Sequence, residues 1–112
     1  MRFVTISGDF IMQMYNVVIL PVAREDIAEI YHYNAFDNPN AAMRMTDEIL
    51  DKIDTLELFP DRCPVVPDGN LAQLGYRMLI IGNYIAFFKV YEDEVIVYRV
   101  LHGKRDYPQL LE

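Results

Sequence analysis

The sequence predicts an α+β domain of order β-α-α-β-β-β, with a helical hairpin packed on a mainly antiparallel sheet. Three short apolar runs rich in Val, Ile, Tyr and Phe occupy residues 76–102, and two turn signals, Gly82-Asn83 and Glu92-Asp93-Glu94, separate them. Two segments with apolar residues at helical spacing precede these runs. One more apolar run, residues 15–20, supplies a strand before the helices.

The composition is that of one folded domain spanning residues 1–112. The chain is 53% hydrophobic and 24% charged, which is typical of a globular protein. A single cysteine, Cys63, excludes an internal disulfide and favours a reducing compartment. No apolar run approaches the length of a membrane span, so we expect a cytoplasmic protein with no membrane partner. Neither metal-ligand spacing nor a phosphate-cradling glycine loop is present, so no metal or cofactor is predicted.

The charge is unevenly distributed along the chain. The formal net charge is −7, and residues 1–70 hold five Arg and Lys against twelve Asp and Glu. Residues 71–112 hold five of each sign, so local basicity near the C-terminus is compatible with the total. A general nucleic-acid binder is disfavoured because such proteins carry a basic balance or a basic patch.

The first 13 residues leave two interpretations open. Either the true start lies at Met12 or Met14 and this segment is an over-called start, or the segment is an extra strand. The composition of residues 3–6, Phe-Val-Thr-Ile, fits the second interpretation.

Two helices follow the first strand. Pro21 ends that strand and can occupy the first turn of helix one, which continues from Ala23. Asn38 is the expected N-cap of helix two and Pro39 its first residue. The apolar stripe of helix two is Ala42, Met45, Ile49, Ile53 and Leu56. Residues 59–70, with three prolines and a Pro-Asp-Gly, are predicted to be a loop.

Two-residue turns at Gly82-Asn83 and Glu92-Asp93 predict the strand register and therefore the two sheet faces. The face assigned to the helices carries Leu79, Ile81, Tyr84, Ala86, Phe88, Val90, Val95, Val97 and Leu101. The other face carries Tyr76, Met78, Ile80, Ile85, Phe87, Lys89, Ile96, Tyr98, Val100 and His102. Arg77 and Arg99 alternate onto the helix face, where we expect Arg99 to pair with a helix-one carboxylate such as Glu29.

The last predicted strand ends in a cluster of cationic and proton-active side chains: His102, Lys104, Arg105 and Tyr107. Imidazole can move a proton near neutral pH, and a guanidinium can stabilise a phosphorane. Tyrosine could act as an acid or base only with a strongly lowered pKa. The alternatives are a binding site for a target or partner, and a plain surface cluster beside Asp106. Cys63 has no activating neighbour and is predicted to be inert, while His32 is predicted at a helix surface or interface.

Residues 75–107 resemble the toxins of the RelE/ParE superfamily, the toxin halves of bacterial type II toxin–antitoxin pairs. The resemblance lies in the succession GYR, a YxxxF-type strand, an acidic turn and VIVYRVLHGKRD, and it extends back to about Met14. It implies a small toxin of the plasmid-stabilisation type, neutralised by a cognate antitoxin protein.

Within this superfamily, the ribosome-dependent branch cleaves mRNA with several cations. The resemblance matches Arg77 and Arg105 to two of them, with His102 and Tyr107 as further candidates for catalysis. Ile85 and Leu79 stand where that branch keeps an arginine and a lysine, which removes the means of stabilising phosphate charge. The resemblance therefore favours the ParE branch, which poisons DNA gyrase, with target binding by His102, Lys104, Arg105 and Tyr107. An mRNA-cleaving toxin acting on the ribosome, or a degenerate non-toxic antitoxin binder, remains the alternative.

The second sheet face is predicted to be apolar and uncovered. Its residues Ile85, Phe87, Ile96, Tyr98 and Val100 would form a patch of partner-site size. We expect the antitoxin to dock there, with Ile85, Phe87, Lys89 and Tyr98 as contacts. Two competing arrangements are that residues 107–112 fold back over this face, or that it packs on a second copy of the chain as a homodimer.

Overall fold

The computed structural model describes residues 2–8 and 10–111. Met1, Asp9 and Glu112, which belong to the predicted N- and C-terminal segments, lie outside the described residues. The strands are β1 (Arg2–Ser7), β2 (Phe10–Met14), β3 (Asn16–Ile19), β4 (Arg77–Ile81), β5 (Tyr84–Tyr91) and β6 (Glu94–His102). The helices are α1 (Pro21–Ala35), α2 (Pro39–Asp54), α3 (Gly69–Gln73) and α4 (Pro108–Leu111).

The main sheet has four strands in the order β3-β6-β5-β4. β3 runs parallel to β6, while the β6-β5 and β5-β4 pairs are antiparallel. The hairpin of α1 and α2 packs on one face of this sheet, where Ile27, Ile49 and Ile53 meet Phe88 and other strand residues in one core. The predicted fold class is thus confirmed. In the described part of the chain, no helix is long and apolar enough to cross a membrane.

The start of α2 follows the predicted capping pattern. The backbone amide of Ala41 donates to Oδ1 of Asn38 at 3.1 Å, and Pro39 occupies the first turn. On the predicted stripe, Ala42, Ile49, Ile53 and Leu56 are buried and Met45 is half-buried. The stripe continues into a short 3₁₀ turn, Thr55–Glu57. The predicted loop is interrupted by a second 3₁₀ turn, Pro60–Arg62, and by α3.

The N-terminal segment forms a hairpin of its own. β1 and β2 pair antiparallel in a two-stranded sheet separate from the main one. Two side-chain hydrogen bonds connect it to the domain: Arg2 to the carbonyl of Tyr15 at 3.4 Å, and Gln13 to the carbonyl of Glu92 at 3.1 Å. The strand interpretation of residues 3–6 therefore describes the conformation of this segment.

Both predicted turns define the register as expected. Leu79 pairs with Ala86 across the first turn, and Val90 pairs with Val95 across the second. The register then shifts, because Phe88 pairs with Val97 but Phe87 pairs with Arg99, which leaves one extra residue in β6.

Because of this bulge, the side chains of residues 99–102 lie on the sheet faces opposite to those predicted. Val100 packs in the core beneath the helices, whereas Leu101 packs on the opposite face. His102 pairs with Tyr84, and both line a groove beside α1. The prediction was wrong for these three residues because one inserted residue exchanges the faces of every residue after it. It was also wrong for Arg99, which pairs with Phe87 of the second face.

The second sheet face is covered at its centre, so the predicted patch around Phe87 is not exposed as a whole. Phe87 is only 1% exposed and packs with Val66, Leu71 and Tyr76 from the preceding loop and α3 region. The C-terminal segment completes the cover through Tyr107, Leu110 and Leu111. The fold-back arrangement of residues 107–111 was thus the correct alternative.

Candidate functional site

The C-terminal end of β6 is held against the β4–β5 turn. The amide of Gly103 donates to the carbonyl of Asn83 at 2.8 Å, and the amide of Arg105 donates to the carbonyl of His102 at 3.0 Å. The amide of Lys104 donates to Nδ1 of His102 at 3.2 Å. In the neutral ring the proton therefore sits on Nε2, which is left free to donate.

A groove of about 680 Å³ opens between α1 and this end of the sheet. Its volume is in the range of ligand and peptide sites. The helical wall is formed by Asp26, Glu29, Ile30, Tyr33 and Asn34 of α1 and by Met45 of α2. The opposite wall is formed by Asn83, Tyr84, Val100, Leu101, His102 and Arg105.

Aromatic and amide contacts shape the middle of this groove. The rings of Tyr84 and His102 meet edge-on with centroids 5.5 Å apart. Nδ2 of Asn34 donates to the carbonyl of Ile30 at 2.7 Å and reaches the hydroxyl of Tyr84 at 3.3 Å. His102 is thus positioned by its neighbours rather than free to rotate.

The base of the groove contains a buried ion pair. Nε and Nη2 of Arg99 donate to the two carboxylate oxygens of Asp26 at 2.7 and 2.9 Å, and the amide of Val100 donates to Asp26 at 3.0 Å. Hydrogen bonding to Asp26 raises the pKa of Arg99, burial opposes this rise, and the nearby charge of Glu29 adds to it. The predicted pairing of Arg99 with α1 is confirmed, with Asp26 instead of Glu29 as the hydrogen-bonded partner.

Asp26 occupies this position because β3 is short. β3 pairs with β6 only as far as Val97, and the next amide, that of Leu20, closes on the carbonyl of Val97 at 3.0 Å. Beyond that point the edge of β6 faces α1, so the Asp26 carboxylate takes the place of a strand partner for Val100.

The four residues of the predicted catalytic set are not brought together. His102 and Arg105 line the groove. The ring of Tyr107 instead packs against that of Phe87 on the other sheet face, with ring centroids 4.7 Å apart. Nη1 of Arg77 donates to the carbonyl of Cys63 at 2.7 Å. Arg77 pairs with Phe88 and His102 with Tyr84, so about 13 Å of β5 separates their positions.

The C-terminal turn presents the free cations of the site. Lys104 and Arg105 are exposed, and neither side chain forms an ion pair with any residue that the structure describes. Of the residues predicted to bind the target, His102, Lys104 and Arg105 therefore lie on one accessible surface, and Tyr107 does not. Within the described ranges, no three His, Cys, Asp or Glu side chains are grouped to hold a metal ion.

Comparison with known families identifies the class of the protein. Residues 17–107 match the model of the ParE toxin of type II toxin–antitoxin systems, parDE. The chain belongs to the ParE toxin family. The match begins at β3, so the β1–β2 hairpin lies outside the part that the family model describes.

Solved structures support the ParE-type fold. A chain of the chromosomal ParDE system from P. aeruginosa is 22% identical with a TM-score of 0.67, over 80% of this chain and 96% of that one. A chain of the RelBE2 toxin–antitoxin complex from Mycobacterium tuberculosis is 21% identical with a TM-score of 0.62, over 84% of this chain and 97% of that one. No curated protein sequence matches this chain significantly.

The residues predicted to bind the antitoxin lie on the second sheet face of this ParE-family chain, away from the groove. Phe87 is fully covered, while Ile85, Lys89 and Tyr98 are half-buried around it. Nζ of Lys89 lies 4.4 Å from the ring centroid of Tyr76 and 5.2 Å from that of Tyr98. Burial raises the pKa of Tyr98, and its hydrogen bond with the hydroxyl of Tyr91 adds to this rise.

Sequence reasoning did not identify the helical wall of the groove. A usable signal is present, because Asp26, Glu29 and Tyr33 recur at spacings of three and four and therefore lie on one side of α1. Tyr33 is 79% exposed, which is unusual for a large aromatic side chain beside a groove.

Proposed function

We propose that this ParE-family toxin inhibits DNA gyrase in the cytoplasm and is neutralised by a cognate antitoxin. Its membership of the ParE family supports the toxin class. The gyrase target follows from the resemblance of its C-terminal strand and turn to the ParE branch. The observation that favours this target over mRNA is the dispersal of the candidate RNA-cleaving side chains.

Cleavage of RNA by attack of a 2′-hydroxyl needs a base, an acid and cations around a single phosphate. Here Arg77 is bound to the carbonyl of Cys63 and lies 3.9 Å from Asp61, so its charge is already compensated. Tyr107 is stacked on the opposite sheet face. Ile85 and Leu79 supply no charge. His102 and Arg105 alone do not provide the charge stabilisation that the reaction requires.

Target contact is assigned to the exposed C-terminal turn. His102, Lys104 and Arg105 share one accessible surface in a chain whose net charge is −7. Protein targets are recognised through such local complementarity, and the overall acidity disfavours direct binding to the phosphate backbone of nucleic acid. Tyr107 then serves as the anchor that ends the turn.

Antitoxin docking near Ile85, Phe87, Lys89 and Tyr98 stays a prediction. Because α4 and Tyr107 cover Phe87, an antitoxin that used this surface would contact the rim formed by Lys89 and Tyr98, or would displace the C-terminal segment. Lys89→Glu tests the rim, and circular dichroism checks that the variant is folded, because Nζ of Lys89 lies over the ring of the buried Tyr76. A weaker antitoxin complex in calorimetry supports the rim, and unchanged affinity removes it.

The target proposal is tested by a gyrase supercoiling assay with purified toxin. We expect inhibition with accumulation of cleaved DNA, and at least a tenfold loss of potency for the double variant Lys104→Ala/Arg105→Ala. Primer extension after induced expression provides the opposite test. New codon-specific 5′ ends that disappear in Arg105→Ala, without gyrase inhibition, would establish an mRNA-cleaving toxin instead.

A further inference from the structure

The groove at the C-terminal turn continues across the β4–β5 turn into a second groove. The second one has a volume of about 430 Å³ and lies between this turn and α2. Met45, Asn83 and Tyr84 line both grooves, so the two are adjacent sections of one channel. The channel extends from Arg105 at one end to Arg44 and Glu48 at the other.

The channel has an apolar floor and a polar rim. Ile30 and Val100 are buried beneath it, and Met45 is half-buried. Asn34, Asn83 and the free Nε2 of His102 supply hydrogen-bonding groups above this floor. Peptide-binding grooves usually combine these two features. The apolar floor takes side chains of the peptide, and the polar groups at the rim bind its backbone.

The two ends of the first groove differ in charge. At its base, Asp26 is bonded to Arg99, and Glu29 lies near enough to that guanidinium to raise its pKa. At its mouth, Arg105 and the adjacent Lys104 have no ionic partner among the residues that the structure describes. Two exposed cations therefore lie at the mouth, and they favour a carboxylate at this end of the groove.

We propose that this channel binds a segment of DNA gyrase that places a carboxylate at Arg105 and an apolar side chain over Met45 and Tyr84. The inference rests on the proposed gyrase target and extends it from the C-terminal turn to the helical hairpin. The occupant is a protein segment rather than nucleic acid, because the floor of the channel is apolar and the net charge of −7 disfavours binding to a phosphate backbone. Continuity of the channel with His102 and Arg105 connects it to the target surface.

Asn83, in the middle of the channel, allows a test with two variants of opposite charge. Its side chain is exposed, it lies outside the positive-φ residues of the turn, and the contact with Gly103 uses only its backbone carbonyl. Asn83→Asp changes shape little but adds a negative charge, whereas Asn83→Lys adds a positive one. Asn70→Asp, at an exposed position of α3, is the matched control, because it adds the same charge away from the channel. Circular dichroism and thermal midpoints verify that all variants are folded.

The readouts are supercoiling inhibition and calorimetric binding to the isolated gyrase A and B subunits. We expect a five- to tenfold loss for Asn83→Asp, equal or higher potency for Asn83→Lys, and no change for Asn70→Asp. Equal potency of all three variants, with an active wild type, would exclude the channel while leaving the gyrase target intact. A wild type that neither binds nor inhibits gyrase would overturn both proposals.

A third outcome concerns the other known class of partner. If Asn83→Asp inhibits gyrase normally but loses antitoxin binding, the channel belongs to the antitoxin. Its assignment to gyrase is then wrong, while the gyrase target stands. Tyr33→Ala gives an independent check on the helical wall, because this exposed side chain contributes little to folding. We expect a severalfold loss of gyrase inhibition for this variant, and no loss would contradict a contact at this wall.

Discussion

At the scale of single residues, Asp26 is the polar group on which the packing of α1 depends. It is 6% exposed and accepts three hydrogen bonds, two from Arg99 and one from the amide of Val100. Removal of its carboxylate leaves the buried amide of Val100 without an acceptor and the half-buried guanidinium of Arg99 with only the carbonyl of Leu110, at 3.4 Å. We expect Asp26→Ala to lower the free energy of unfolding by about 3 kcal/mol in urea denaturation.

The matched control for Asp26 is Glu25, an exposed carboxylate on the same helix turn. Glu25→Ala should change the free energy of unfolding by less than about 0.5 kcal/mol. Equal small effects of both substitutions would show that the Asp26–Arg99 pair contributes nothing to stability.

Cys63 illustrates a residue whose chemistry is suppressed by its surroundings. The side chain is 5% exposed, and burial raises the pKa of its thiol, although Arg62 and Arg77 act in the opposite direction. A raised pKa means less thiolate at a given pH, and the thiolate is the reactive form.

We therefore expect Cys63 to react with Ellman's reagent at pH 8 more than about tenfold slower in the native protein than in urea. Labelling at the same rate in both states would show that the thiol is accessible, and would reopen the question of a reactive cysteine.

At the scale of elements, the β5–β6 turn carries local strain. Glu92 has φ of 46°, in the left-handed region that favours glycine. A non-glycine residue in this conformation lowers the stability of the fold by roughly 1–2 kcal/mol. Glycine removes this strain but loses more backbone entropy on folding, so only part of the stability is regained. We expect Glu92→Gly to raise the free energy of unfolding by about 0.5–1 kcal/mol.

Glu94→Gly, two residues later in β6, should have the opposite sign because glycine weakens an extended strand. Urea denaturation of both variants distinguishes turn strain from a general effect of removing a glutamate. A loss of stability in both would contradict the strain at residue 92.

α4 is a short element that closes the second sheet face. The hydroxyl of Tyr76 donates to the carbonyl of Leu111 at 2.9 Å, and Tyr107 stacks on Phe87. Ending the chain at Asp106 would expose Phe87 and remove these contacts. We expect a loss of about 3 kcal/mol in the free energy of unfolding, from the burial of large apolar side chains. Gln109→Ala, at an exposed position of α4, should be neutral, and an unchanged truncated protein would contradict the covering role.

At the scale of the whole molecule, the β1–β2 hairpin and the family domain are separate units of structure. Among its described residues the hairpin has no strand pairing with the main sheet, and an isolated two-stranded sheet adds little stability by itself. We expect deletion of residues 1–11 to lower the thermal midpoint by less than about 5 °C, which corresponds to roughly 1 kcal/mol. A larger drop in calorimetry would show that the hairpin stabilises the domain.

The sequence alone was sufficient for the elements that local chemistry controls. Asn38-Pro39 determines where α2 begins, because a side-chain cap and a proline both act within one turn. Gly82-Asn83 and Glu92-Asp93 determine the two hairpin registers near the turns, because a turn aligns the residues beside it. The order of the elements and the class of protein followed from these local signals and from the motif around residues 95–106.

The tertiary structure alone decided what depends on distant contacts. The bulge in β6 moved Val100 and His102 to the helix side, and no turn signal marks it because it lies inside a strand. Leu110 and Leu111 cover Phe87 because apolar surface is buried by whichever chain segment can reach it. The channel exists only because α1, α2, the β4–β5 turn and the end of β6 meet, and their side chains are up to 79 positions apart in the sequence, from Asp26 to Arg105.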